Sequence, residues 1–433
     1  MLLHCGGKYL QSEEKMKTIT YENLSLFDSK MPGIEVRKED ELYEHEISLI
    51  NQAELNGLAE IEAWTALGTN NQINYSTHGL FRYFGKFPST IGTHLIMEYS
   101  KENENVMDPM SGSGTTAVEC LLNRRNCRSY DINPLSVLLA KVKTTHIVKD
   151  KLDAELLKIE TNYKPLTKEK YCWEPVGLKN ISHWFLEETQ DSIRGLIYLI
   201  DQIEDTNVKN FYNICLSSCI RTVSRATTQQ GRLFLDVETA KTDCLETFVK
   251  KAKKAIDAVS NLPKKETNLE IDLHDATMPF ENNDNNLIIC HPPYFNSYKY
   301  SSINSLELSW MKINHADVRK KEIREFFKVG KAEKVTYYID DMLNLMNNIS
   351  KSLEVNGTLA LMIGDTVIKG EYIPVTRMLI DKYLELNKNI AIEKVVLRVP
   401  KYTEASWTAS QRRKSGNVGI TLNDFIIIFR RKM

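Results

Sequence analysis

Two short segments about 180 residues apart, Asp108-Pro-Met-Ser-Gly-Ser-Gly-Thr-Thr116 and His291-Pro-Pro-Tyr294, constrain this chain more than any other feature. Each follows an apolar run that reads as a buried strand, Asn105-Val-Met107 for the first and Leu287-Ile-Ile-Cys290 for the second. Gly112 and Gly114 fall between that first strand and a predicted helix over about 115–124, where glycine permits positive φ and close approach of a ligand to the backbone. Two successive prolines after the second strand fix an extended, rigid turn. In α/β proteins ligands bind outside the carboxyl ends of parallel strands, so both segments belong on that edge of one sheet.

The rest of the pattern agrees. A strand Cys127-Arg-Ser-Tyr130 ends at Asp131, and strands resume at Leu269–Leu273, Leu287–Cys290 and Thr358–Ile363, the last entered through a turn at Asn356-Gly357. Ile392–Val399 and Phe425–Phe429 read as a closing pair of strands. Between them residues 150–262 read as helical, with amphipathic runs His183–Glu204, Val208–Ser224 and Thr239–Leu262. The expected fold is α/β, a doubly wound Rossmann-like sheet with a helical insertion. Its parts are an N-terminal helical extension (1–75, with an acidic periodic stretch over 38–67), a first half of the sheet domain (76–149), the helical insertion (150–264) and a second half (265–433). The second half contains a smaller insertion, Lys312–Lys334, with eight Lys/Arg against four Asp/Glu.

Net charge is −1, so the chain is no polycation, and any nucleic-acid contact requires a local basic face. Eight cysteines without a C-x-x-C pair speak for free thiols in a reducing compartment and against zinc or disulfides; no metal is expected. The start lacks the charged flank and apolar core of a signal peptide, and no run approaches a membrane span. A cytoplasmic protein is expected.

The glycine loop narrows the cofactor. Gly-Lys-Ser/Thr is missing, which excludes a phosphate loop, and the third glycine of a dinucleotide fingerprint is missing too. Asp131 stands about 20 residues on, at the end of the next strand, where a carboxylate accepts from ribose hydroxyls. A nucleoside cofactor without a diphosphate remains, which suits S-adenosylmethionine; an ordinary tight turn or another nucleotide is the alternative. At His291-Pro-Pro-Tyr294 a carbonyl before or between the prolines lacks a competing local donor and can accept from an amine. Tyr294 offers a flat face for a base. The plainer reading is a proline strand terminator beside a core tyrosine.

These residues resemble motifs I and IV of the amino-group DNA methyltransferases, which make N4-methylcytosine and N6-methyladenine. The resemblance extends to Thr77-His-Gly-Leu-Phe-Arg-Tyr-Phe-Gly-Lys-Phe87, similar to the segment that covers the methionine end of the cofactor. Asp131 resembles the motif II acid, and Asp275, in His274-Asp-Ala-Thr-Met-Pro-Phe280, the motif III residue near the adenine amine. Asn296-Ser-Tyr-Lys-Tyr300, Leu306-Glu-Leu-Ser-Trp310 and Ser217-Ser-Cys-Ile-Arg-Thr-Val-Ser224 resemble a subgroup whose turn usually reads Ser-Pro-Pro-Tyr. The resemblance implies cofactor contacts from Lys86, Phe87, Asp108, Pro109, Ser111, Gly112, Gly114, Thr115, Thr116, Asp131, Ile132, Asn133, Asp275 and Ala276, and catalysis by His291, Pro292, Pro293 and Tyr294. The large insertion lies between motifs II and III, which matches none of the family's standard permutations.

His291 departs from the family, which has Asp, Asn or Ser there. A neutral imidazole can accept a hydrogen bond from the target amine and a protonated one cannot, so activity is expected to fall as pH drops through the imidazole pKa. A flat rate from pH 8 to pH 5.5 would then speak against that role. The implied reaction is transfer of a methyl group from S-adenosylmethionine to the exocyclic amine of a base flipped out of double-stranded DNA. Cytosine N4 is the first expectation and adenine N6 the second. An RNA base methyltransferase and a catalytically silent DNA-binding subunit are the other readings. A partner restriction endonuclease is the companion the resemblance implies. Candidate DNA contacts are Lys320, Lys321 and Arg324 in the small insertion; Arg412, Arg413 and Lys414 with Trp407 in the loop 398–414; and Arg221 and Arg225 with Gln229, Gln230 and Arg232 in the helical insertion.

Overall fold

A computed structural model describes residues 17–19, 32–227, 233–237, 243–264, 267–296, 300–324, 326, 331–399 and 420–433. Among the described residues eleven strands form one sheet: β1 (Lys17–Ile19), β2 (Ile34–Lys38), β3 (Glu60–Ala66), β4 (Asn105–Asp108), β5 (Asn126–Asp131), β6 (Leu269–Leu273), β7 (Asn285–Cys290), β8 (Leu353–Ile368), β9 (Glu371–Ile373), β10 (Ile390–Arg398) and β11 (Ile420–Arg431). Their order is β1-β2-β3-β10-β11-β8-β7-β4-β5-β6, with β9 paired to β8. From β8 to β6 every pairing is parallel, and β11 enters antiparallel between β8 and β10. Helices cover both faces, as expected for strands that are apolar on both sides. This is a doubly wound, Rossmann-like α/β sheet.

One face packs on the helices Val335–Lys351 and Val375–Leu386 through Tyr338, Met342, Leu379 and Tyr383. The other packs on Ser89–Tyr99, Thr115–Leu122 and Pro134–Thr144 through Ile91, Leu95, Ala117 and Val137. Such buried layers supply most of the stabilisation, at about 25 cal/mol per Å² of apolar surface removed from water.

The N-terminal part differs from the expected helical extension. Only Glu44–Gln52 of the acidic stretch is helical, while β2 and β3 extend the sheet beyond β10. β3 is buried on both faces, Ile61 and Ala63 in one core layer and Trp64 in the other, and its buried acid, Glu62, is matched by Lys394 at 2.9 Å and Trp64 Nε1 at 2.7 Å. The turn expected at Asn356-Gly357 lies inside β8 as a kink. Asn356 has φ +65, and the β7–β8 register jumps from Asn285↔Leu353 to Leu287↔Thr358.

The helical insertion forms as Glu187–Asp201, Thr206–Val223 and Cys244–Ser260; of the third expected run, residues 239–242 lie outside the described residues. Its core is continuous with the sheet domain. Phe211, Tyr212 and Phe248 share one cluster with Leu135 and Leu139 of the helix Pro134–Thr144 and with Leu306 and Trp310 beyond the His291-Pro-Pro-Tyr294 turn.

Candidate functional site

The two segments that are far apart in sequence leave the sheet side by side. β4 and β7 are parallel neighbours, with Val106 opposite Leu287 and Met107 opposite Ile288, so the glycine loop and the proline turn emerge on the same edge. Strand order reverses between them, β5 and β6 lying to one side and β8 to the other, which makes this the switch point where such sheets bind ligands. A cleft, partly open to solvent, lies over it. Of the expected residues Lys86, Phe87, Ser111, Gly112, Thr115, Asp131, Ile132, Asn133, His291 and Pro293 line it, joined by Tyr83, Gly85, Met110, Ser113, Tyr300, Glu322 and Ile323.

The cofactor half is built from backbone geometry. Gly112 takes φ +48 and its N–H donates to Asp131 Oδ2 at 2.8 Å, while Asn133 N–H donates to Asp131 Oδ1 at 2.8 Å. Asp131 thus ties the glycine loop to the end of β5. Burial pushes its pKa up to about 6, against the lowering effect of those N–H donors. Asp108, fully inside, accepts from Met110 N–H at 3.1 Å, and burial lifts it to about 7. Gly114 takes φ +74 against the helix Pro134–Thr144, where a Cβ would stand 2.9 Å from Ala140 Cα. Lys143 is completely buried and donates to the Ser113 carbonyl at 2.7 Å, and burial holds its ammonium well below the usual lysine range. Ser111 Oγ faces the cleft buried and without a hydrogen-bond partner among the described residues. A ribose-matched carboxylate, an unpaired hydroxyl and a glycine cradle fit a nucleoside cofactor.

Four expected cofactor residues act from behind the wall: Asp108, Pro109, Gly114 and Thr116 shape the loop without lining the cleft. Asp275 and Ala276 do not line it either. The Asp275 carboxylate is used locally, accepting from Thr277 N–H at 3.0 Å and Thr277 Oγ1 at 2.7 Å, a side-chain turn typical of Asp.

The segment before the glycine loop folds over the site as a strap. Its anchor, which the sequence did not reveal, is Glu119 on Thr115–Leu122. This fully buried side chain accepts from Tyr75 OH at 2.5 Å and Thr93 Oγ1 at 2.6 Å and meets His78 Nε2 at 2.6 Å. Burial lowers His78 to about 4. Lys86 donates to Asn74 Oδ1 and to the His78 carbonyl, and burial lowers it to about 8. At the strap's end the Phe87 ring stands edge-on to His291, centroids 5.6 Å apart.

In the His291-Pro-Pro-Tyr294 turn His291 Nε2 lies 3.2 Å from Tyr294 OH, with the rings nearly perpendicular at 5.3 Å. Burial lowers His291 to about 4, so the imidazole is neutral at physiological pH. Tyr338 OH donates to the Pro293 carbonyl at 2.9 Å, while the Pro292 carbonyl accepts nothing among the described residues. Tyr294, expected to present a face to a base, is only 8% exposed and packs edge-on against His291. Stacking on its face requires that packing to open.

The expected DNA contacts separate. Arg221 is buried, donates from Nε to the Thr227 carbonyl at 2.9 Å and lies over the Phe84 ring at 5.3 Å, so it joins the insertion to the strap. Arg225 is half-buried and donates to the Ser182 carbonyl at 3.3 Å. Lys320 pairs with Asp317 at 2.8 Å and Arg324 with Asp341 at 2.6 Å, while Lys321 is exposed. Arg412, Arg413, Lys414, Trp407, Gln229, Gln230 and Arg232 lie outside the described residues. The basic count over Lys312–Lys334 concealed a second role: that insertion sends Glu322 and Ile323 into the cleft, Glu322 accepting from Ser301 N–H at 2.7 Å and Arg319 at 2.5 Å.

The chain is similar in sequence to known DNA methyltransferases. The sequence profile of the N6/N4 DNA methylase family matches residues 10–142. The type II methyltransferase M.MvaI of Kocuria varians is 24% identical over 326 residues, covering 66% of this chain and 71% of that protein. M.MjaII of Methanocaldococcus jannaschii is 32% identical over 91 residues, 21% of this chain and 17% of that protein. Among solved structures, the rRNA methyltransferase aviRa of Streptomyces viridochromogenes aligns at 10% identity over 84% of this chain and 94% of its own, with a TM-score of 0.33. With the glycine loop, Asp131 and the proline turn in one cleft, the chain matches the N6/N4 DNA methylase family over residues 10–142, and its likeness is to DNA methyltransferases of the N4 or N6 type.

Proposed function

We propose that this protein methylates the exocyclic amine of a base flipped out of double-stranded DNA, with cytosine N4 as the target and adenine N6 as the alternative. The observation that supports it is the placement of the glycine loop and the His291 turn on adjacent parallel strands, opening into one cleft. M.MvaI and M.MjaII are both type II methyltransferases, which supports a sequence-specific role beside a partner restriction endonuclease. Cytosine N4 rests on the likeness of the stretch after the turn to the Ser-Pro-Pro-Tyr subgroup.

S-adenosylmethionine, when bound, supplies the activated methyl group. The chain's own residues do the rest. Asp131 and Ser111 would hold the cofactor's nucleoside hydroxyls, and the Gly112 loop would let it approach the backbone. Neutral His291 and the Pro292 carbonyl accept the two amine protons, which points the nitrogen lone pair into the cleft. Tyr294 and Phe87, both edge-on to the imidazole, fix its plane. The Glu119-anchored strap and Glu322 keep water from the far side.

Plasmid DNA incubated with methyl-labelled cofactor, digested to nucleosides and resolved by mass spectrometry tests this directly. N4-methylcytosine is the expected product; N6-methyladenine selects the alternative. DNA without label, in protein that binds both DNA and cofactor, leaves the silent-subunit reading and overturns this one.

A further inference from the structure

We infer that Asp424, clamped by Arg398, is the carboxylate that stabilises positive charge at the His291 turn, in place of the side-chain oxygen this chain lacks there; the inference rests on the amine-methylation reading above.

Register places it. β11 pairs with β8 as Ile426↔Met362, Phe425↔Ile363 and Asp424↔Gly364, and β7 pairs with β8 as Cys290↔Leu361. One residue past Cys290, His291 is level with Met362 and Ile426. Those two side chains share a core layer with Phe87, whose ring meets His291. Strand residues two apart share a face, so Asp424 lies one step beyond Ile426, on the His291 side and at the carboxyl end of the sheet. The β11 register breaks between Thr421 and Asp424, and such bulges re-aim side chains beside active sites. Arg398, opposite Asp424 on β10, donates to Asp424 Oδ2, and the two side chains are only 14% and 16% exposed.

Among the described residues the charges that act on His291 are these two, Asp424 raising its pKa and Arg398 lowering it, and both act on Tyr294 in the same senses. The other ionisable groups around the cleft are Lys86 and Tyr83 on the strap, Tyr300 and Glu322 beyond the turn and Asp131 on β5, which line it together with His291. In the reaction a nitrogen–carbon bond forms, the sulfur–carbon bond breaks with its electron pair left on sulfur, and the amine nitrogen becomes positive. Its surplus proton then passes through the His291 imidazole to solvent. An ammonium formed on an aromatic amine is acidic enough for a weak, buried imidazole to take that proton. For that interval the imidazole is cationic, and a fixed carboxylate behind it is a preorganised counter-charge.

The test uses the full chain with Asp424→Asn, which keeps shape and a carbonyl for Arg398, and Arg398→Met. His291 is titrated by NMR on histidine-labelled protein, with His291→Gln for assignment. Loss of the carboxylate is expected to lower the His291 pKa and loss of the guanidinium to raise it, opposite shifts that a merely structural role would not give. In single turnover on plasmid DNA, D424N should slow methyl transfer about tenfold or more with cofactor affinity within about twofold, and Asp424→Glu should restore much of the rate. If D424N does not fold, the Arg398→Met titration decides alone. Transfer by D424N at the parental rate, or shifts of the same sign in both variants, overturns the inference. Failure of the parental chain to label DNA overturns the reading it rests on.

Discussion

The glycine loop after β4 and the proline turn after β7 are neighbours on one sheet edge, yet they are built by opposite means. The loop is nearly self-sufficient. Positive φ at Gly112 and Gly114 and two N–H donors to Asp131 make its shape, all within residues 112–133. The turn is assembled from afar, with Phe87 on one side, Tyr338 beneath it and the Arg398–Asp424 pair beyond. Backbone chemistry of short range is written in a motif, whereas a constellation drawn from elements up to about 200 residues away is not.

The largest expected effect falls on the loop. Gly114→Val puts a branched side chain at φ +74 with its Cβ 2.9 Å from backbone of the helix Pro134–Thr144. Left-handed strain of about 1–2 kcal/mol and overpacking of about 1–3 kcal/mol add up to a large share of a typical domain's stability. Urea unfolding should show loss of stability together with loss of cofactor binding. The turn should behave differently. His291→Ala removes an acceptor from a scaffold held by distant packing, so methyl transfer should fall about 100-fold while cofactor affinity stays within a few fold. Equal losses in both quantities would show that the halves are not separable.

Acid separates the halves as well. His78 and His291 are lowered from 6.5 to about 4, so between those values the unfolded chain binds more protons than the folded one. Their contribution to stability is full above about 6.5 and is lost as pH falls towards 4, by up to about 3 kcal/mol each. Asp108 and Asp131 work in the other sense: raised to about 7 and about 6, they bind protons in the folded state first, so their burial costs stability as pH rises from 3.8 through those values. Melting curves of His78→Gln and Asp108→Asn against the parent from pH 4 to 8 should therefore diverge in opposite directions. Catalysis sharpens the point. An imidazole at about 4 stays neutral at pH 5.5, so a flat rate from pH 8 to 5.5 is what this structure predicts for a His291 that does accept from the amine. Cofactor affinity should weaken below about pH 6 as Asp131 protonates, and Asp131→Asn should abolish that dependence.

What the sequence revealed follows the same division. The strands β4 to β8, the glycine loop and Asp131 were legible because hydrophobic runs, turn residues and a fixed spacing are local signals. β2 and β3 were not, since Glu62 and Arg37 interrupt the apolar alternation and are balanced only by partners elsewhere, Lys394 and Glu46. Glu119 carries no local signal of its role, and only the fold brings Tyr75, His78 and Thr93 to it. Arg221 read as a DNA contact because Arg clusters near a helix end invite that reading; its burial against Phe84 depends on where the insertion docks.

Tyr338 offers the finest test of the turn's long-range assembly, with the smallest effect. Its hydroxyl donates to the Pro293 carbonyl from the helix Val335–Lys351, 45 residues on, while its fully buried ring packs against Phe295. Tyr338→Phe keeps the ring and removes one hydrogen bond, worth about 1 kcal/mol, and leaves the Pro293 carbonyl to find water or go without. If the turn is held in register by such remote contacts, methyl transfer should slow about threefold to tenfold at unchanged cofactor affinity. A parental rate with a melting temperature lowered by a few degrees would mean that the two prolines alone keep the turn rigid, making it as local a device as the glycine loop beside it.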